Sequence, residues 1–176
     1  VYRYLNGARD LCLVYPKSVP AQFEAFVDAS FGIHCDGTSR TGIVMAVSGV
    51  MVSCFSLRQR IVTKSSTEAE LVALSDGAGY VLWMREWALA QGYPLETVVI
   101  WQDNQAVLSL IGRGGRASGR TRHLNIRFFF VGDRVKSREL ELKYLPTKEM
   151  LADLLTKGLV GALFRALRDS LMGLTQ

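Results

Sequence analysis

An α/β domain built around a mixed sheet is the fold class that this sequence predicts. Three observations lead to it. Two β-branched-rich runs, Ile43–Val47 and Val50–Leu57, flank Ser48-Gly49, which reads as a two-residue hairpin turn. A long helical pattern follows, stopped by Gly92 and Pro94. Short apolar strands then alternate with helical segments up to the end of the chain, the mark of an α/β arrangement.

The elements follow in order. Val1, Tyr2, Leu5 and Ala8 are roughly helically spaced, and Pro16 and Pro20 punctuate the segment after them. Phe23–Asp28 reads as a strand closed by an acid. Phe31–Gly42 is rich in Gly, Ser, Thr and Asp, so a loop is expected there. The hairpin comes next, then a helix over Thr67–Gln91. Val98–Trp101 is a short strand running into Asp103, and Asn104–Ile111 a short helix ended by Gly112. Gly114–Arg120 reads as a flexible basic loop and His123–Lys136 as a helix. Leu140–Leu145 alternates with charge and reads as a strand ended by Pro146. Helices are expected over Glu149–Lys157 and Gly161–Met172.

The 176 residues suit one domain with a sizeable core. A hydrophobic fraction of 49% with 21% charged residues is that of an ordinary folded protein. Three cysteines without a CxxC spacing argue against a disulfide framework and a zinc knuckle, and point weakly to a reducing compartment. No apolar run approaches a membrane span, and no secretory signal is visible. A start at Val1 without Met implies a piece of something longer.

The net charge of +5 is uneven. Gly112 to Arg138 holds eight Arg or Lys residues and one acid, a net +7 that leaves −2 for the rest. Such a concentration suits a polyanionic partner or, equally, a solvated surface.

Four acids stand apart from the other charges: Asp28, Glu70, Asp103 and Asp153. Two end strand-like runs and two lie in apolar helix-like runs. Burying carboxylates there is costly unless a cation offsets them. A shared pair of hard divalent cations does so, and can clamp a phosphodiester for hydrolysis. On a helical wheel Glu70 is in phase with Leu74, Gly77, Val81, Met84 and Ala88, on the packed stripe, whereas Glu68 faces water. Each acid also has a local alternative. Thr67 and Glu70 have capping-box spacing. Asp28 and Asp103 could be turn or N-cap residues, and Asp153 could complement a helix dipole. The argument rests on the set. If the strands ending at Asp28 and Asp103 are parallel neighbours, their carboxylates converge where open α/β sheets bind ligands.

Several stretches carry a family resemblance: Val27-Asp28-Ala29-Ser30, the run from Lys64-Ser65-Ser66-Thr67-Glu68-Ala69-Glu70 to Ser75, and Gln102-Asp103-Asn104-Gln105. The others are Arg120-Thr121-Arg122-His123-Leu124-Asn125-Ile126-Arg127, Tyr144-Leu145-Pro146-Thr147, and Ala152-Asp153-Leu154-Leu155-Thr156-Lys157. Together they resemble the ribonuclease H domain of copia-type long-terminal-repeat retrotransposon polyproteins, over almost the whole chain. The resemblance implies a ribonuclease H-like fold, with a five-stranded mixed sheet (three antiparallel strands plus two parallel) flanked by helices. Residues 1–20 would be the connection from a reverse transcriptase, 21–158 the ribonuclease H-like domain and 159–176 a C-terminal helix.

The resemblance further implies a two-metal ribonuclease that hydrolyses the RNA strand of RNA–DNA hybrids during reverse transcription. Its metal tetrad would be Asp28, Glu70, Asp103 and Asp153, holding two Mg²⁺, with Mn²⁺ as a substitute. The implied partners are the hybrid and the reverse transcriptase domain of the same polyprotein, with no membrane, in a cytoplasmic virus-like particle. A different class stays open: a catalytically silent module that binds hybrid or braces the polymerase. The family's cellular relatives often carry a mobile His shortly before the last Asp. Thr147, Lys148, Glu149 and Met150 stand there instead, and His123 lies far earlier. Arg113, Arg116, Arg120, Arg122 and Arg127, within and beside a Gly-rich loop, are the expected grip on the hybrid's phosphates.

Overall fold

The computed structural model describes residues 1–17, 22–113 and 122–174. Three antiparallel strands open the sheet: β1 (Phe23–Ser30), β2 (Arg40–Val47) and β3 (Val50–Arg58). The β2–β3 turn is the expected one. Ser48 and Gly49 both take left-handed conformations, φ 51° and 80°, which a tight primed turn requires. Helix α2 (Ser66–Ala90) crosses over to β4 (Val98–Gln102), which lies parallel to β1. Helices α3 (Gln105–Gly112) and α4 (Arg122–Lys136) lead to β5 (Leu140–Tyr144), parallel to β4. The strand order is β3-β2-β1-β4-β5, a five-stranded mixed sheet flanked by helices.

Strand alternation gives the sheet two apolar faces. Ala25, Val27, Ile43 and Met45 pack in one core with α2, through Leu74, Val81, Met84 and Ala88 among others, and with α3 and α4. Phe26, Val44 and Ala46 join a second core with Met150, Leu151, Ala152 and Leu167. The chain's ends lie together. Helix α1 (Tyr2–Asn6) sets Tyr4 edge-on to Phe164 of α6 (Gly161–Leu171), and the Val14 N–H donates to the Met172 carbonyl at 2.9 Å. Among the described residues, no helix is long and apolar enough to cross a membrane.

Three local expectations need correction. Asp28 does not close its strand: β1 runs on to Ser30 because Ala29 and Ser30 still pair with Thr41 and Arg40, residues expected in a loop. The N-cap of α2 is Ser65, whose side chain accepts from the Glu68 N–H, while Glu68 accepts from the Lys64 N–H at 2.7 Å. Capping thus falls to Ser65 and Glu68, and Glu70 is left to point inward. No continuous helix spans Glu149–Lys157. A 3-10 turn (Thr147–Glu149) is followed by extended backbone at Met150 and by the single turn α5 (Asp153–Thr156). Met150, Leu151 and Ala152 are all buried in succession, and a regular helix cannot turn three consecutive side chains toward one sheet.

Candidate metal centre

Asp28 sits inside β1, on the face it shares with Phe26, and is almost fully buried. Its partner across the ladder is Gly42. A Cβ at Gly42 would lie 2.7 Å from Thr156 Cγ2 and 2.8 Å from the Ala152 carbonyl oxygen. The missing side chain lets α5 close onto β2, and Thr156 Oγ1 then donates to Asp28 Oδ2.

Glu70 reaches the same place from the first turns of α2. It lies on the buried stripe that the helical phase predicts, while Glu68 is half-buried and engaged in capping. Gln102, the last residue of β4 and fully buried, donates through Nε2 to Glu70 Oε2 at 3.3 Å. Its Oε1 accepts from the backbone N–H groups of Asp103 and Asn104, at 2.8 and 3.1 Å.

Asp103 follows β4 directly. It is not the N-cap of α3: Asn104 is, with Oδ1 accepting from the Ala106 and Val107 N–H groups. The Asp103 carboxylate is thereby free to turn toward the sheet end, where Thr147 Oγ1 donates to its Oδ2 at 2.8 Å. Asp28, Glu70 and Asp103 each offer an oxygen, and these oxygens all lie within 4.8 Å of one another. The parallel β1–β4 pairing is what brings two of the three together.

Asp153 begins α5 and is also buried, but it falls outside that group of three. Lys157 lies between. Its Nζ is 2.6 Å from Asp153 Oδ1 and 3.7 Å from Asp28 Oδ2.

The electrostatics follow from burial. Desolvation pushes Asp28 up to about 6, opposed by the Thr156 hydrogen bond and the Lys157 charge, while Asp153 and Asp103 add to the rise. Desolvation, followed by the charges of Asp28 and Asp103, pushes Glu70 up to about 9, against hydrogen bonds from the Ala29 N–H and Gln102. Burial alone would lower Lys157. The Asp153 hydrogen bond and the charges of Asp28, Asp153 and Asp103 outweigh it and hold the ammonium above its usual range. Three converging carboxylates, two of them forced toward the neutral form by burial, make an all-oxygen donor set that suits a hard divalent cation.

The four-acid pattern passes over four side chains that shape the site: Gln102, Thr147, Thr156 and Lys157. All four stand in the motifs named above, yet only the folded arrangement shows what each touches. Of the expected phosphate-binding arginines, Arg113 is exposed at the end of α3. Arg127, on α4, is already ion-paired with Asp76 of α2. Arg116 and Arg120 lie outside the described residues, as does the side chain of Arg122.

No protein-family model matches the chain. Among curated proteins it is 28% identical over 158 residues, 89% of its length, to the retrovirus-related Pol polyprotein from transposon TNT 1-94 of Nicotiana tabacum. It is 29% identical over 167 residues, 94% of its length, to the Pol polyprotein from transposon RE2 of Arabidopsis thaliana. The match to a Ty1 Gag-Pol polyprotein of Saccharomyces cerevisiae is 24% over 171 residues. The chain is a homologue of copia-type transposon Pol polyproteins. It spans 10 to 12% of the length of these relatives.

Among solved structures, LC11-RNase H1, isolated from compost, superposes with a TM-score of 0.60 at 17% identity, covering 83% of this chain and 98% of that one. The N-terminal RNase H domain of a Mycobacterium tuberculosis protein gives 0.54 at 14% identity, covering 85% and 98%. LC11-RNase H1 in complex with RNA/DNA hybrid gives 0.56 at 14% identity, covering 73% and 88%. The ribonuclease H fold of this Pol homologue is thus the one its motifs imply, with the three-carboxylate group at the C-terminal ends of the parallel strands.

Proposed function

We propose that this domain is a metal-dependent endonuclease that hydrolyses the RNA strand of RNA–DNA hybrids during retrotransposon reverse transcription. The observation that carries the proposal is the convergence of Asp28, Glu70 and Asp103 within 4.8 Å, with Asp153 held nearby through Lys157. An RNA–DNA hybrid is bound by a structural neighbour with this fold. The partner in the same polyprotein would be its reverse transcriptase, and the setting a cytoplasmic particle.

In this reading Asp28, Glu70 and Asp103 would hold one Mg²⁺, and Asp28 with Asp153 would hold the other. When bound, the ions acidify a water and neutralise charge on the phosphate. The protein's part is placement. Thr156 fixes the Asp28 carboxylate and Thr147 that of Asp103, while Gln102 holds Glu70 against the backbone that carries Asp103. Water oxygen adds to phosphorus in line with the P–O3′ bond. That bond breaks, the 3′ oxygen leaves with a proton, and a 5′-phosphate remains. Discrimination of RNA from DNA would come from 2′-hydroxyl contacts and not from base edges.

The test is cleavage of labelled hybrid with and without Mg²⁺, beside Asp103→Asn. The wild type should cut only with the ion. The variant should fold and bind hybrid without cutting, since Asn keeps an acceptor for Thr147 and removes only the charge. Cleavage by Asp103→Asn at the wild-type rate would refute the mechanism. Hybrid binding without cleavage by the wild type would establish the silent binding module instead.

A further inference from the structure

We propose that Lys157 is a positioning residue that serves as a built-in cation for the Asp28–Asp153 side of the centre and must withdraw before a divalent ion enters there. The inference rests on the metal-dependent reading above and adds an order of loading to it.

The geometry is asymmetric. On one side, the Lys157 ammonium sits between two buried carboxylates, 2.6 Å from Asp153 Oδ1 and 3.7 Å from Asp28 Oδ2. A divalent ion on this side would draw its oxygen ligands from these same two carboxylates. An ammonium and a divalent ion cannot share that space, and their charges repel. On the other side, among the described residues, no salt bridge reaches Glu70 or Asp103. Glu70 takes only neutral donors, Gln102 and the Ala29 N–H, and Asp103 takes the Thr147 hydroxyl.

The backbone holds Lys157 in place while leaving it an exit. It is the C-cap of the one-turn α5 in extended conformation, its N–H donates to the Asp153 carbonyl at 2.9 Å, and it stands four residues after the acid it pairs with. Its side chain is 35% exposed, so the flexible stem can swing the ammonium into water without unfolding α5. Asp28 is common to both sides, but the close contact of Lys157, 2.6 Å against 3.7 Å, is with Asp153, so the Asp28–Glu70–Asp103 side loads first. The Asp153 side loads second, at higher ion concentration, with Lys157 displaced.

The experiment counts Mn²⁺ bound to the metal-free protein by electron paramagnetic resonance, in wild type, Lys157→Met, Lys157→Arg and Asp153→Asn. Lys157→Gln serves as a second neutral variant should the methionine form fail to fold. A wild type with two separated binding steps is expected. Removing the ammonium should tighten the second step by about tenfold, a Coulomb effect reduced by the lysine's partial exposure. Lys157→Arg should stay close to wild type and Asp153→Asn should lose the second step. The neutral variants should also melt at lower temperature without metal, because two buried acids lose their counter-charge. An identical second step in wild type and both neutral variants overturns this inference alone. No Mn²⁺ binding by the wild type would overturn the metal-dependent reading, and this inference with it.

Discussion

Glu70→Gln should stabilise the metal-free protein at neutral pH. Glu70 is raised from 4.5 to about 9 by burial and by its two acidic neighbours. Between those values the folded state keeps a proton that the unfolded chain releases. Stability is complete below pH 4.5 and is lost progressively as pH climbs toward 9. At ~1.4 kcal/mol per pH unit, the loss at pH 7 is about 3 kcal/mol. Gln at this site does not ionise, so it avoids that loss. It still accepts from Gln102, but its amide brings donors into a buried place, a cost of about 1 kcal/mol. The net gain is about 2 kcal/mol, or about 6 °C for a chain of this size. The assay is thermal unfolding in EDTA from pH 5 to 8. The variant should be no more stable than wild type at pH 5 and clearly more stable at pH 7 and above. Mg²⁺ should reverse the ranking, since it stabilises only a chain that can bind it. A melting-temperature difference that does not change with pH would refute the reasoning.

Two further outcomes are expected. Gln102→Leu deprives two backbone N–H groups and Glu70 of their partner in a buried setting, and should cost about 2–4 kcal/mol in denaturant unfolding; a loss below about 0.5 kcal/mol would show that water replaces the amide there. Neutralising Arg113, Arg116 and Arg120 together should lower the salt slope of hybrid binding by about 0.9 for each phosphate no longer neutralised, while the cleavage step at saturating enzyme changes little; an unchanged slope would assign these arginines to solvent or to a docking face.

Much of this chain is legible one residue at a time. Alternation and turn chemistry are local, so Ser48-Gly49 marks its hairpin, and helical phase by itself separates Glu70 from Glu68. The long run around Ser65–Glu70 carries the family resemblance in the same local way. The third dimension decided what depends on partners far apart in sequence. Asp28 lies inside a strand because Thr41 and Arg40 pair beyond it, a matter of register with residues more than ten positions away. The helix expected over Glu149–Lys157 is broken at Met150–Ala152 because these three successive residues are buried against the sheet. Gly42 has no visible role until α5 is packed on it, and Lys157 reads as one more surface lysine until the fold sets it between Asp28 and Asp153. Propensity and periodicity are properties of neighbours along the chain, whereas desolvation and charge proximity exist only once the chain has closed on itself.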